Sequence, residues 1–210
     1  MLNLVNEFLQ AILSLDRITA KEIWTGASNK MTSIQFVEEV IVDALEKIGV
    51  GWENGTIALS QIYMSGRICE ELVDDILPSG NTNRKDLPKM AIAVLLDHHT
   101  MGKRIVYSFL RAGGFDLLDY GRVAVDDLVR MVKEDAVEIL LLSVLMLPSA
   151  LHIKEVRKKL NSAGLDVKIV VGGAPFRFDE QLWREMGADA MCHAASEVVT
   201  TITKIKGGIL

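Results

Sequence analysis

After Lys89 the chain changes its hydrophobic rhythm, and that change limits its fold more than any other feature. Short apolar runs at residues 90–96, 115–120, 137–143, 167–171 and 190–193 alternate with amphipathic stretches at 102–112, 125–132, 149–161, 179–186 and 196–205. Runs that are apolar throughout, rather than at every second position, need cover on both faces, as strands do in a parallel sheet flanked by helices. The strand–helix alternation predicts the same α/β layer, with helical crossovers joining parallel strands. Such sheets bind ligands beyond the carboxyl ends of their strands. Segments 97–102, 143–149 and 172–175 stand at those ends, so three unusual loops are expected on one edge.

The chain before residue 78 follows another period. Apolar residues recur at helical spacing at Leu2, Val5, Leu9, Ile12 and Leu13, then at Ile34, Val37, Val40, Ile41, Leu45 and Ile48, then at Leu59, Ile62, Leu72, Val73 and Ile76. This predicts an all-helical unit. Thr32 or Ser33 is placed to cap the middle helix, expected to end before Gly49, and Pro78 to stop the last one. Residues 78–89, polar and rich in turn formers, read as a linker. Two domains follow: helical over residues 1–80 and α/β over residues 88–210.

Composition narrows the function. A chain of 210 residues, 50% hydrophobic and 24% charged, can bury a core and is not disordered. A net charge of −5, with no basic run longer than Arg157-Lys158-Lys159, gives no footprint for nucleic acid. No uncharged apolar run approaches the roughly 18 residues that span a bilayer, and residues 1–7 lack the basic start of a signal peptide. Cys69 and Cys192, without a metal-binding spacing, read as reduced structural thiols of a cytoplasmic protein.

At the tip of the first expected strand, Asp97-His98-His99-Thr100-Met101-Gly102 contains an Asp-x-His-x-x-Gly sequence. A ligating imidazole must be neutral and oriented, and a carboxylate that takes its other N–H does both. Gly102, at the start of the next helix, leaves room for a bulky ligand against the backbone. Alone, the motif allows two readings: His99 as a metal ligand steered by Asp97, or a solvated loop with a strand-end aspartate and two surface histidines.

Ser143-Val144-Leu145, Ser149 and Gly172-Gly173-Ala174-Pro175 shift the weight between them. With Asp97, His99 and Gly102 they stand in the order and at the spacing of the Asp-x-His-x-x-Gly, Ser-x-Leu and Gly-Gly motifs of the cobalamin-binding domain. The chain thus resembles the family that includes methionine synthase, the corrinoid proteins of anaerobic methyltransferase systems and the adenosylcobalamin mutases. The resemblance implies a helical bundle cap followed by a Rossmann-like or flavodoxin-like domain carrying cobalamin, a cobalt corrinoid, base-off and His-on. His99 would replace the dimethylbenzimidazole base as lower ligand of cobalt. The displaced nucleotide tail would lie between Ser143 and the pair Gly172 and Gly173, where a side chain would take the place of a planar base. Asp97 would hydrogen-bond His99, Ser149 matches the serine that completes the ligand triad in methionine synthase, and Leu145 belongs to the serine motif. His98 is an alternative ligand that has no place in the motif.

Residues 49–61 resemble the helical cap segment of methionine synthase and methyltransferase corrinoid proteins, with a Gly-x-x-aromatic-x-x-Gly spacing at Gly49, Trp52 and Gly55. Trp52 and Leu59 would then cover the upper face of cobalt; the alternative is ordinary bundle core. The chain departs from the family at Leu96, where Gly is usual, at Thr100-Met101, where Asp-Ile is usual, and at Leu147, where many members have Thr. Lys103, Ile105 and Val106 match.

By this resemblance the protein is a methyl carrier. It would shuttle a methyl group between a substrate-specific methyltransferase and an acceptor methyltransferase of the tetrahydrofolate type, with a reductive activator as a third partner. Catalytic residues of its own are not expected: there is no barrel, no zinc constellation and no nucleophile with a matched base. Rival readings are a cobalamin-dependent sensor or regulator, which normally carries an output domain, a mutase small subunit, which usually lacks the cap, and a B12-fold protein that binds corrinoid weakly.

Overall fold

The computed structural model describes residues 2–76 and 87–208, which form two compact units. The linker and the stop at Pro78 fall largely on residues 77–86, outside the described residues.

The first unit comprises Met1–Asp86 with Ser108–Phe115 and Ala194–Val199. Its helices are α1 (Leu2–Leu13), α2 (Arg17–Ala27), α3 (Ser33–Phe36), α4 (Val42–Glu53) and α5 (Leu59–Ile76). A π-helical turn, Val37–Ile41, joins α3 to α4. Much of the expected apolar spacing becomes buried: Val5, Ile12, Val40, Leu45, Ile48, Ile62 and Val73 lie in the core, joined by Phe8, while Leu9, Leu13 and Ile34 are only half-buried and Leu59 is exposed. Phe36 meets Phe8 edge to face at 5.6 Å and Trp24 at 5.1 Å, both within the range of favourable aromatic pairs. Of the two candidate caps it is Thr32 that acts: its Oγ1 accepts the Gln35 N–H, and Gln35 Oε1 accepts the Thr32 N–H, a complete capping box.

Two expectations need correction here. Helix α2 was not among the apolar groups, because it buries only Ala20 and Ala27 and so presents almost no hydrophobic stripe. The middle helix does not end before Gly49 but runs through it to Glu53. Gly49 is required for close approach rather than for termination: a Cβ there would stand 2.3 Å from the Ser196 Cβ.

The second unit comprises Leu87–Tyr107, Asp116–His193 and Thr200–Leu210. Strands β1 (Met90–Leu95), β2 (Leu117–Val123), β3 (Ile139–Ser143), β4 (Lys168–Gly172) and β5 (Ala190–Cys192) form one sheet in the order β2-β1-β3-β4-β5. All the pairings are parallel, which is the flavodoxin-like order. Ala91, Ala93, Leu95, Leu140, Leu142, Ile169 and Val171 pack with Leu128 and Val132 of α7 (Val125–Glu134) and with Ile153, Val156 and Leu160 of α9 (Ile153–Ser162). The sheet residues between them, Met90, Ile92, Val94, Ile139, Leu141 and Val170, are buried too, so β1, β3 and β4 are covered on both faces.

β2 starts and ends later than its expected run, because an edge strand tolerates exposed Arg122 beyond it. A bulge at Ile92/Ala93 sets Tyr120 out of register, with Gly121 at φ 66. The stretch 149–161 divides into a short helix α8 (Leu147–Leu151) and α9, while 174–186 yields two short helices, α10 (Ala174–Phe178) and α11 (Leu182–Glu185). Helix α6 (Met101–Ala112) follows β1, and α12 (Val198–Lys206) closes the described chain.

Candidate functional site

The chain leaves β1 for β2 on one side and then returns to β3 on the other, so the loops after β1 and β3 diverge and open the crevice expected of this topology. Register sets the motif residues side by side at its edge: Val94 pairs with Ser143, Ser143 with Gly172, and Gly172 with Cys192. A Cβ at Gly102 would lie 3.5 Å from the Ser143 Oγ, so the start of α6 stands over the end of β3.

Asp97, only 3% exposed, holds the two loops together. Its Oδ1 accepts the N–H of His98 at 2.6 Å and that of His99 at 3.1 Å, while Oδ2 accepts the N–H of Leu145 at 2.8 Å and that of Met146 at 3.1 Å. The fifth partner is the His99 ring, with Nδ1 at 2.5 Å from Oδ1. Burial by itself would raise the pKa of this carboxyl. The His99 ring and the N–H groups of Leu145, His99 and Met146 outweigh burial and hold it well below the usual carboxylate range. An ionised carboxylate only accepts, so Nδ1 carries the hydrogen and the lone pair of the neutral ring lies on Nε2. The His99 side chain is 55% exposed, which leaves that lone pair open to a ligand. His98 gives Asp97 only its backbone N–H.

The other expected residues are placed as follows. The Leu145 side chain is exposed. Ser149 is buried, and its Oγ donates to the carbonyl of Leu96 at 3.3 Å rather than to the Asp97 carboxylate, whose two oxygens are already occupied. At Gly173, φ is 127 and a Cβ would stand 1.7 Å from the Val144 carbonyl oxygen. The glycine is therefore demanded by the protein's own backbone, a reason the sequence alone did not show. A Cβ at Gly172 would lie 3.4 Å from the Cys192 carbonyl oxygen. Trp52, in the last turn of α4, is half-buried, and Leu59 begins α5 exposed; both belong to the first unit. Gly51, just before Trp52, is packed against Ile57, and Gly55, between Trp52 and Leu59, turns the chain at φ 72.

Three features were missed: the N–H groups of Leu145 and Met146 as Asp97 donors, the left-handed backbone of Leu96 at φ 51, and the partner of Lys103. Lys103, buried in the first turn of α6 where a cation opposes the helix dipole, pairs with both carboxylate oxygens of Asp119. Only Lys103 carried a signal in the sequence, through its match to the family.

The donor set itself says what kind of metal the loop suits. Among the described residues no group of three or more His, Cys, Asp or Glu side chains could hold a metal ion. A single imidazole is too few to hold a bare ion, so a metal at His99 must bring its other ligands with it, as a corrin does. The exposed apolar side chains of Leu96, Met101, Leu145, Met146 and Leu147 on the same loops suit a large, partly apolar ring. The residues present fit a corrinoid.

Comparison with known proteins agrees. The family described as B12 binding domain matches residues 89–202, and a second family of the same description matches residues 4–76. The dimethylamine corrinoid protein of Methanosarcina barkeri is 29% identical over 203 residues, covering 93% of this chain and 94% of that protein. Among solved structures, a cobalamin-binding protein from Desulfitobacterium hafniense DCB-2 has a TM-score of 0.76 at 26% identity, covering 95% of this chain and 97% of the other. The Methanosarcina barkeri monomethylamine corrinoid protein has a TM-score of 0.57 at 26% identity, covering 97% and 98%. Among the described residues no helix is long and apolar enough to cross a membrane. With the B12 binding domain matched over more than half of its length, this chain belongs to that family, as one of its corrinoid proteins.

Proposed function

We propose that the protein is a methyl carrier that binds its corrinoid base-off, with Nε2 of His99 as the lower ligand. The hydrogen bond between Asp97 and Nδ1 of His99 carries this reading, because it fixes both the tautomer and the direction of the ring. When bound, the corrin's cobalt supplies the chemistry, taking a methyl group from one partner and yielding it to the next.

The chain's own residues then have distinct tasks. Asp97 keeps the proton on Nδ1 and, through Leu145 and Met146, ties the β1 loop to the β3 loop. Gly102, Ser143 and Gly172 leave the space into which the nucleotide tail would descend, and Ser149 supports the loop through the Leu96 carbonyl. Trp52 and Leu59 are assigned to cover of the upper face on the resemblance of residues 49–61. The partners would be a substrate-specific methyltransferase, an acceptor methyltransferase of the tetrahydrofolate type and a reductive activator. Similarity to a corrinoid protein over nearly its full length favours a carrier over a sensor.

The test uses protein reconstituted with hydroxocobalamin and reduced, then mixed with an isotopically labelled methylamine and the methyltransferases encoded beside its gene. Label is expected to reach the protein fraction and then tetrahydrofolate, in both cases only when the corrinoid is loaded. Equal transfer with the apoprotein would overturn the reading.

A further inference from the structure

We infer that Leu96 is a corrinoid-binding residue, held in a strained backbone so that its side chain joins the apolar rim of the site; the inference rests on the corrinoid reading above. Among the described residues three non-glycines have positive φ: Leu15, Leu96 and Ala136. Two of them have a local cause. Leu15 follows α1 and Ala136 follows α7, and each donates its N–H back to its helix, to the carbonyls of Ile12 and Lys133, as residues that terminate helices do.

Leu96 follows a strand, so no helix end requires its conformation. Its backbone is held from both sides: the N–H donates to the Val123 carbonyl at 3.0 Å, and the carbonyl accepts from the Ser149 Oγ. That turn points the next residue, Asp97, into its five hydrogen bonds. A glycine would make the turn without the contact between Cβ and the backbone that a leucine incurs. Burial recovers only part of that cost in this chain, because the leucine stays 36% exposed. Leu145 and Met146, on the loop that Asp97 ties to that of Leu96, are exposed, as are Met101 and Leu147, which open the helices following the two loops. An apolar side chain that is strained, exposed and grouped with four others gains its partner when the ring is bound.

The experiment compares wild type with Leu96→Gly and Leu96→Ala, measuring the melting temperature of each apoprotein and its equilibrium binding of hydroxocobalamin by absorbance after dialysis. Leu96→Gly is expected to melt at or above wild type yet to bind hydroxocobalamin about tenfold more weakly, the loss of one well-packed apolar contact. Leu96→Ala keeps the strained turn and should also bind weakly, without any gain in melting temperature. A purely structural leucine would move both readouts in the same direction. Leu96→Gly that binds as tightly as wild type, or that melts below it, overturns the inference. If wild type itself fails to retain hydroxocobalamin, the corrinoid reading and this inference fall together.

Discussion

Asp97 shows how much one buried carboxylate can organise. Four of its five donors are backbone N–H groups, from two different loops, and removing it would leave those of Leu145 and Met146 without their acceptor. Asp97→Ala is therefore expected to lower stability by about 3 kcal/mol in urea melts, since hydrogen bonds to a charged group are worth more than neutral ones. The glycines separate two roles that look alike in sequence. Gly173→Ala places a Cβ against the Val144 carbonyl in a backbone that side chains rarely adopt, so the variant should express poorly or lose at least ~3 kcal/mol. Gly102→Ala meets nothing closer than the Ser143 Oγ, so its apoprotein should melt like wild type while its retention of hydroxocobalamin falls. An unchanged retention would show that Gly102 is not an approach point for the ligand. Ser149→Ala should cost about 1 kcal/mol, the value of one ordinary hydrogen bond, because its hydroxyl serves the Leu96 carbonyl.

At the scale of elements, the capping box at α3 is expected to contribute about 1 kcal/mol, so Thr32→Ala should shift the denaturation midpoint of the apoprotein by that amount. What could be read beforehand follows the physics of each element. β1, β3 and β4 were legible because both faces are buried and every position must be apolar. The end of β2 was not, because an edge strand can carry exposed polar residues and a bulge. α2 buries two alanines and so lacks the stripe that betrays a helix. The site divides in the same way. Asp97, His99 and Gly102 announce themselves by residue type, and their grouping with Ser143 and Gly172 follows once the strands are parallel and in register. The N–H groups of Leu145 and Met146 belong to the backbone, which has no letter in a sequence, and the reason for Gly173 lies in a carbonyl on a neighbouring loop.

For the whole molecule, the proposed function gives each matched domain a task of its own: His99 in the second is proposed as the lower ligand, and Trp52 in the first, on the resemblance of residues 49–61, as cover of the upper face. Bound methylcobalamin should lose its methyl group to light faster in Trp52→Ala than in wild type, and equal photolysis rates would remove the assigned role of Trp52. The most direct measurement concerns the lower ligand. Wild type, His99→Ala and His98→Ala are each reconstituted with methylcobalamin, freed of excess cofactor, and compared by absorption spectrum and by the amount retained. The account predicts that His98→Ala matches wild type, while His99→Ala shows the spectrum of a corrinoid without a protein nitrogen ligand and retains less of it. A His99→Ala protein unchanged in both respects, beside a His98→Ala protein disturbed in them, would contradict it.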